Sequence, residues 1–440
     1  MDRKIQTSLI TKTLAVAITA AMASTVQAAS TEQQQIQELR KEVQALKALI
    51  QQQQQVQQQQ QVQIQQVQAQ PAPAAKSASP FSLKSKGGAE VNLYGFVRGD
   101  ANYIVEGADN DFNSVHTSTG AAKDKLRATP KTTRLGLDFS SPVGDRKVGG
   151  KIEVDFAGTN DALRIRHAYL TLDNWLLGQT TSNFLSNHAP EMIDFATNIG
   201  GGITRIPQVR YSHKLAPATQ LLVSAEEGNS SAQAHQVDAN GQIVLDDDKP
   251  VTTGSDVTYR LPVLTAKLTQ GFAEGKGAAS ARALVEHYKA ESGDDKTGWG
   301  VAAGVNYQVA EPLKVSADVS YVQGNSNYLY GSNSAFYVNP ENGDIEQNEF
   351  TAFQVGATYK FAPNLRSTLG YGAIFADDGT DYAALNEDAN KEVYQAWLNF
   401  IYSPVKPVDL GIEYINGERE TFAGDKFKDN RFGLMARYNF

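Results

Sequence analysis

Cysteine is absent from all 440 residues, which excludes disulfides, thiolate nucleophiles and sulfur-ligated metals. No segment is apolar enough for a membrane-spanning helix. The stretch LAVAITAAMA, residues 14–23, stops short of the ~20 residues such a helix needs. Positive charge is in deficit: 40 Lys and Arg stand against 48 Asp and Glu, a formal net charge of −8, which argues against nucleic acid as a partner. Catalytic signatures are missing as well. The six histidines form no H-E-x-x-H, and there is neither a G-x-S-x-G elbow nor a phosphate-binding glycine loop. No enzyme, metal or cofactor is expected. His188 beside Glu191 is a metal pairing without further ligands.

What is present begins with an export signal. Arg3 and Lys4 precede the short apolar stretch, and Val26 and Ala28 occupy the small-residue positions of a cleavage site. Residues 1–28 read as a signal peptide, and the mature chain is expected to start near Ala29. Residues 29–70 are glutamine-rich, and a heptad runs through them. Ile36, Val43, Ile50 and Ile64 share one position; Leu39, Leu46 and Val67 share the other. That spacing predicts an α-helical coiled coil, with an unstructured periplasmic spacer as the alternative. Ile and Val opposite Leu favour a dimer when read alone. Residues 71–89, rich in Pro, Ala, Ser and Lys, suit an extended linker.

From Glu90 onward the period changes to two. Phe432, Leu434, Ala436, Tyr438 and Phe440 alternate with Gly433, Met435, Arg437 and Asn439. The same rhythm runs through Phe353–Phe361, Val315–Tyr321, Val301–Val309 and Val408–Tyr414. One face is greasy, and the other is small or polar and leaves room for water. Mean hydropathy is negative, as alternation produces even in a membrane barrel. Connections also alternate in length. Short ones fall at 141–147, 173–174, 214–219, 273–279, 310–313, 362–364 and 403–408; long polar ones fall near 105–130, 183–204, 228–260, 325–349, 376–391 and 419–430. Residues 90–440 are therefore expected to form an all-β, antiparallel transmembrane β-barrel of about 16 strands in a Gram-negative outer membrane, with the coiled coil in the periplasm. DVTYR, residues 256–260, also alternates; strand parity leaves it in a loop. Outer-membrane lipid and lipopolysaccharide are the expected surroundings, and the closing aromatic Phe440 resembles the signal read by barrel-assembly machinery.

A passive pore selects by width and by the charges lining it. Arg164 and Arg166 lie two apart on one strand, with Ile165, His167 and Tyr169 assigned to the opposite face. The same alternation turns Arg98, Arg134, Arg210, Lys267 and Arg366 inward, and Arg205 closes the 183–204 loop. Two readings stand. The cations form a basic constriction whose planar guanidiniums match carboxylates, or they balance inward acids such as Asp100, Asp138, Glu153 and Asp155. The 183–204 loop carries Phe184, Leu185, Met192, Ile193 and Phe195, apolar for an exposed segment, and Gly200–Gly202 permit a tight return. It is expected to fold into the pore.

LRIRHAYLTLDNWLLGQTTSNF, residues 163–184, resembles the strand, turn and strand before the constricting loop of trimeric porins. TTRLGLDFSSPVG, residues 132–144, resembles their second strand and turn. Joined to a glutamine-rich heptad, this barrel resembles the DcaP-like porin family. The resemblance implies a homotrimeric channel that prefers small anionic solutes such as dicarboxylates. A non-selective porin and a structural anchor with a coiled-coil spacer are the alternatives.

Overall fold

The computed structural model describes residues 82–84 and 88–440, apart from 195–197, 203, 241 and 247–248. The signal peptide, the coiled coil and most of the linker lie outside the described residues. Strands β1 (Glu90–Gly107), β2 (Ala122–Thr129 and Arg134–Val143), β3 (Arg146–Asp155), β4 (Arg164–Leu172), β5 (Trp175–Thr181), β6 (Arg205–Ala216), β7 (Thr219–Glu226) and β8 (Val257–Tyr259 and Val263–Phe272) form the first half of a sheet. Strands β9 (Gly277–Ala290), β10 (Asp295–Ala310), β11 (Leu313–Gln323), β12 (Glu349–Ala362), β13 (Leu365–Ala376), β14 (Asn390–Val405), β15 (Val408–Thr421) and β16 (Lys426–Asn439) form the rest. Each pairs antiparallel with the next, and β16 returns to β1 with Phe96 opposite Asn439. The result is a closed barrel of sixteen strands. Closure leaves no open edge along the seam, so every strand finds its partners inside the wall.

Alternation sorts the side chains as the sequence predicts. On β15 and β16, Leu410, Ile412, Tyr414, Phe432, Leu434 and Tyr438 are exposed on the outer face. Their neighbours Asp409, Glu413 and Arg431 are buried on the inner one. Aromatic pairs such as Tyr359–Phe361, with centroids 4.9 Å apart, and Tyr414–Phe432, 4.8 Å apart, decorate the outside. So broad a greasy exterior would be an aggregation surface in water and is at home in lipid.

Three boundaries differ from the sequence reading. Ala122–Thr129 pairs with Asp100–Gly107 of β1, while Arg134–Val143 pairs with the lower half of the same strand, so the segment assigned to a 105–130 loop is the top of β2. Pro130, which has no N–H to give a ladder, stands in the break between them. DVTYR is likewise no loop: Val257–Tyr259 pairs with β9 directly above Val263–Phe272, across a break holding Leu261 and Pro262. Parity gave the right strand number because the stretch belongs to a strand already counted. The last long connection shrinks to residues 422–425, since β15 and β16 pair almost to their tips.

The long-loop end carries structure of its own. Ala232–His235, Thr252–Ser255, Phe336–Val338 and Ile345–Gln347 make a four-stranded sheet, and a short helix α1 spans Asp381–Leu385.

Candidate functional site

The lumen has two differently built walls. On β1–β4, alternation lines up a cross-strand row: Phe96 faces Arg134, Arg134 faces Asp155, and Asp155 faces Arg164. The next row joins Tyr94, Gly136 and Glu153. Gly136 is required there, because a methyl group on it would lie 2.2 Å from the Tyr94 ring, which crosses it so that its hydroxyl donates to Glu153 at 2.8 Å. Arg164 grips Asp155 through two hydrogen bonds of 2.9 and 2.8 Å, yet 39% of its side chain stays exposed. Buried Arg166 donates to Glu153 at 2.8 Å and to Asp155 at 2.9 Å. Arg134 lies over the Phe96 ring and 3.4 Å from Glu153. Arg205, half-buried opposite Thr181, sits in the electrostatic field of Arg166, Arg134, Glu153 and Arg164, and its Nε has no hydrogen-bond partner among the described residues. Four guanidiniums thus meet two carboxylates, an excess of two positive charges.

Strict alternation fails in this wall at one point. The pairing of β3 with β4 slips between Glu153 and Val154, so that Glu153 faces His167 while Val154 faces Ile165. Arg166 is the extra residue of a β-bulge, which re-aims everything after it. His167 and Tyr169, assigned to the lipid face from the sequence, therefore point inward. His167 Nε2 lies 3.8 Å from Glu153, its Nδ1 is 2.9 Å from the Thr180 hydroxyl, and its ring contacts Tyr169. Leu170 and Leu172 take the outer face instead.

The second wall, β7 round to β15, holds the loop 182–204 inside the barrel. Asn183 donates to Ser224 of β7 at 2.7 Å. Lys267 of β8 donates to the Leu185 carbonyl at 2.7 Å and to Asn187 at 2.8 Å. Arg282 of β9 reaches the Phe184 carbonyl at 3.1 Å and Asp318 of β11 at 2.6 Å. Arg366 of β13 forks onto Glu191 at 2.8 and 2.7 Å, and the Trp397 indole of β14 donates to the Glu191 carbonyl at 2.9 Å. Glu413 of β15 accepts the N–H groups of Ile193 and Asp194 at 2.8 and 2.6 Å. Arg98 of β1 closes the circuit, donating to the Ile193 carbonyl at 2.5 Å while held by Asp100. Beneath these bonds Phe184, Leu185 and Ile199 are fully buried against Val263, Leu284 and Val322. His188 lies between Ser280, 3.0 Å away, and Asn306, 2.9 Å away; burial, then the nearby Lys267, Arg282 and Lys314 charges, push its pKa down to about 3, so it is neutral.

The structure sorts the eight cations singled out in the sequence into two groups. Arg134, Arg164, Arg166 and Arg205 gather on one wall. Arg98, Lys267 and Arg366 hold the loop, and Arg210 bonds Gln208 at 2.9 Å and the Thr181 carbonyl. Arg282 and Glu413 were missed as loop holders. Both sit in alternating strands, and the signal available for Arg282 was its place between the outward Ala281, Ala283 and Val285. No cluster of metal-ligating side chains is found among the described residues.

Comparison with known proteins follows this geometry. The family model described as DcaP outer membrane protein matches residues 17–440. The crystal structure of the outer membrane channel DcaP of Acinetobacter baumannii is 65% identical, covering 81% of this chain and 99% of its own, with a TM-score of 0.75. An anion-selective porin from Comamonas acidovorans, 13% identical, covers 80% of this chain and 100% of its own at a TM-score of 0.51. Salmonella typhi OmpF in complex with daunomycin, 12% identical, covers 82% and 100% at 0.53. These last two share the fold. No curated protein matches.

Proposed function

Because the chain belongs to the DcaP outer membrane protein family, and is thus an outer-membrane channel, we propose that it favours small anions such as dicarboxylates, admitted where the 182–204 loop narrows the lumen beside the arginine wall. The observation that carries this reading is the surplus of guanidinium over carboxylate on β2–β6, with Arg164 partly exposed. A second carboxylate approaching Arg164, Arg134 or Arg205 meets planar donors in a confined, low-dielectric throat, where such pairing is strongest. Glu153 and Asp155 do not cancel the surplus; they hold the guanidiniums in fixed orientations.

The expected result in planar bilayers under a salt gradient is a reversal potential on the anion side, with succinate interrupting the current. A cation-side reversal potential rejects the reading and leaves the barrel intact. Near-zero selectivity points to the general-porin alternative, which the internal pairing of most lumen cations favours. The family resemblance further supports a homotrimer, with residues 29–70 as a periplasmic coiled coil and Phe440 as the assembly signal. Cross-linking of the detergent-solubilised full chain to a three-subunit band is the test of that assembly.

A further inference from the structure

We propose that the long-loop mouth carries a separate pocket for an uncharged, hydroxyl-rich solute the size of a single sugar ring. Three loops line a half-open cavity of about 270 Å³: His116 comes from the loop after β1, Thr204 from the end of the 182–204 loop, and Ser326, Asn327, Leu329, Tyr330, Gly331 and Ser332 from the loop after β11. Its volume lies just below the ~300–1,000 Å³ of sites for drug-sized ligands, which suits a single ring.

The chemistry of the lining is unlike that of the arginine wall. Among the described residues no carboxylate, ammonium or guanidinium lines it, so none of them selects an ion. Burial, and next the Arg419 charge, hold the His116 pKa down to about 4, so the imidazole is neutral as well. What the lining offers is hydrogen bonding without charge: the hydroxyls of Thr204, Ser326, Tyr330 and Ser332 and the Asn327 amide, whose side chain makes no hydrogen bond among the described residues and is not fully buried. Beside them the His116 and Tyr330 rings meet edge-on, centroids 4.8 Å apart. Aromatic faces suit the C–H side of a sugar ring while polar tips serve its hydroxyls.

The frame is set before any ligand arrives. Tyr330 donates its hydroxyl to the Asn113 carbonyl at 3.1 Å and its N–H to the Gly201 carbonyl at 2.6 Å. Thr204 donates to the Asn327 carbonyl, and Ser332 to that of Leu329 at 2.9 Å. Gly331 holds φ at +88°, where a side chain would strain the backbone and a methyl would press on Ile199 at 2.6 Å. A pocket already shaped loses little ordering entropy on binding.

The test is calorimetric titration of detergent-solubilised full-length protein with methyl α-D-glucopyranoside, glycerol serving as the small polyol control. Saturable binding with Kd on the order of millimolar is expected, with glycerol at least about tenfold weaker. Asn327→Trp, which fills the cavity, should weaken glucoside binding at least about tenfold, and Asn327→Ala, which adds no bulk, by a few fold. Both variants should keep the wild-type reversal potential. Absence of saturation in the wild type, equal binding of glycerol, or wild-type glucoside affinity in both variants overturns the proposal.

Discussion

The two walls of the lumen use the same residue types for opposite ends. On β7–β15 Lys267, Arg282 and Arg366 meet backbone carbonyls or a carboxylate of the loop, as Lys267 meets Leu185 and Arg366 meets Glu191. On β2–β4 and the start of β6 four guanidiniums lie around two carboxylates, and Arg164 stays partly exposed. An inward arginine is therefore not a solute contact by virtue of facing water. Its neighbours decide: where a loop offers acceptors it becomes a strut, and where guanidiniums outnumber carboxylates the part-exposed Arg164 is the proposed anion contact.

The sharpest test of that division is stability. Arg282→Ala strands Asp318 in a buried site and should cost about 3–5 kcal/mol, whereas Arg164→Ala should cost under about 1 kcal/mol because that side chain is part-exposed. Thermal unfolding followed by loss of the compact, heat-modifiable gel band measures both; equal costs would erase the distinction. The loop-holding side should also carry an acid sensitivity. His116 has a folded pKa near 4, below the ordinary 6.5, so the unfolded chain takes up a proton first. The His116 contribution to stability should fall as pH drops from about 6.5 to 4, by at most roughly 3 kcal/mol, and level off below, while that of His188 continues to fall toward pH 3. His116→Gln should flatten that part of the profile in urea titrations at stepped pH.

Selectivity probes the arginine wall. Arg164→Ala combined with Arg166→Ala removes the local positive excess and should weaken succinate block about tenfold, the effect of losing roughly one charge-assisted hydrogen bond. Comparable weakening by Lys267→Ala would mean that both walls contact solute. The smallest effect is expected from Arg205→Ala: a shift of the reversal potential toward zero with no change in unfolding temperature, since its Nε bonds nothing among the described residues.

Much of the barrel was legible because lipid and water write a two-residue rhythm into each strand. Within the 353–361 and 432–440 stretches, Phe353–Lys360 and Phe432–Tyr438 pair with their neighbours as expected. The misplaced pieces share a cause. Pro130 and Pro262 interrupt strands without ending them, and a break in the rhythm looks in sequence like a turn. The bulge at Arg166 left no local mark, because an added residue is defined only by the partner strand it fails to match. That is why His167 and Tyr169 were sent outward. In the lumen, the sequence was silent on the partners of the inward side chains. The pairing of Arg366 with Glu191 joins residues 175 positions apart.

The inward loop also has a mechanical consequence. A hollow cylinder of sixteen strands is stiff along its axis and soft across it, because small hinge changes at each seam flatten a circle into an oval. A crossbar fastened successively from Ser224 to Glu413 and back to Arg98 resists that squeeze from within. The bore is then fixed by a brace as well as by the number of staves, and cutting the brace should make it breathe.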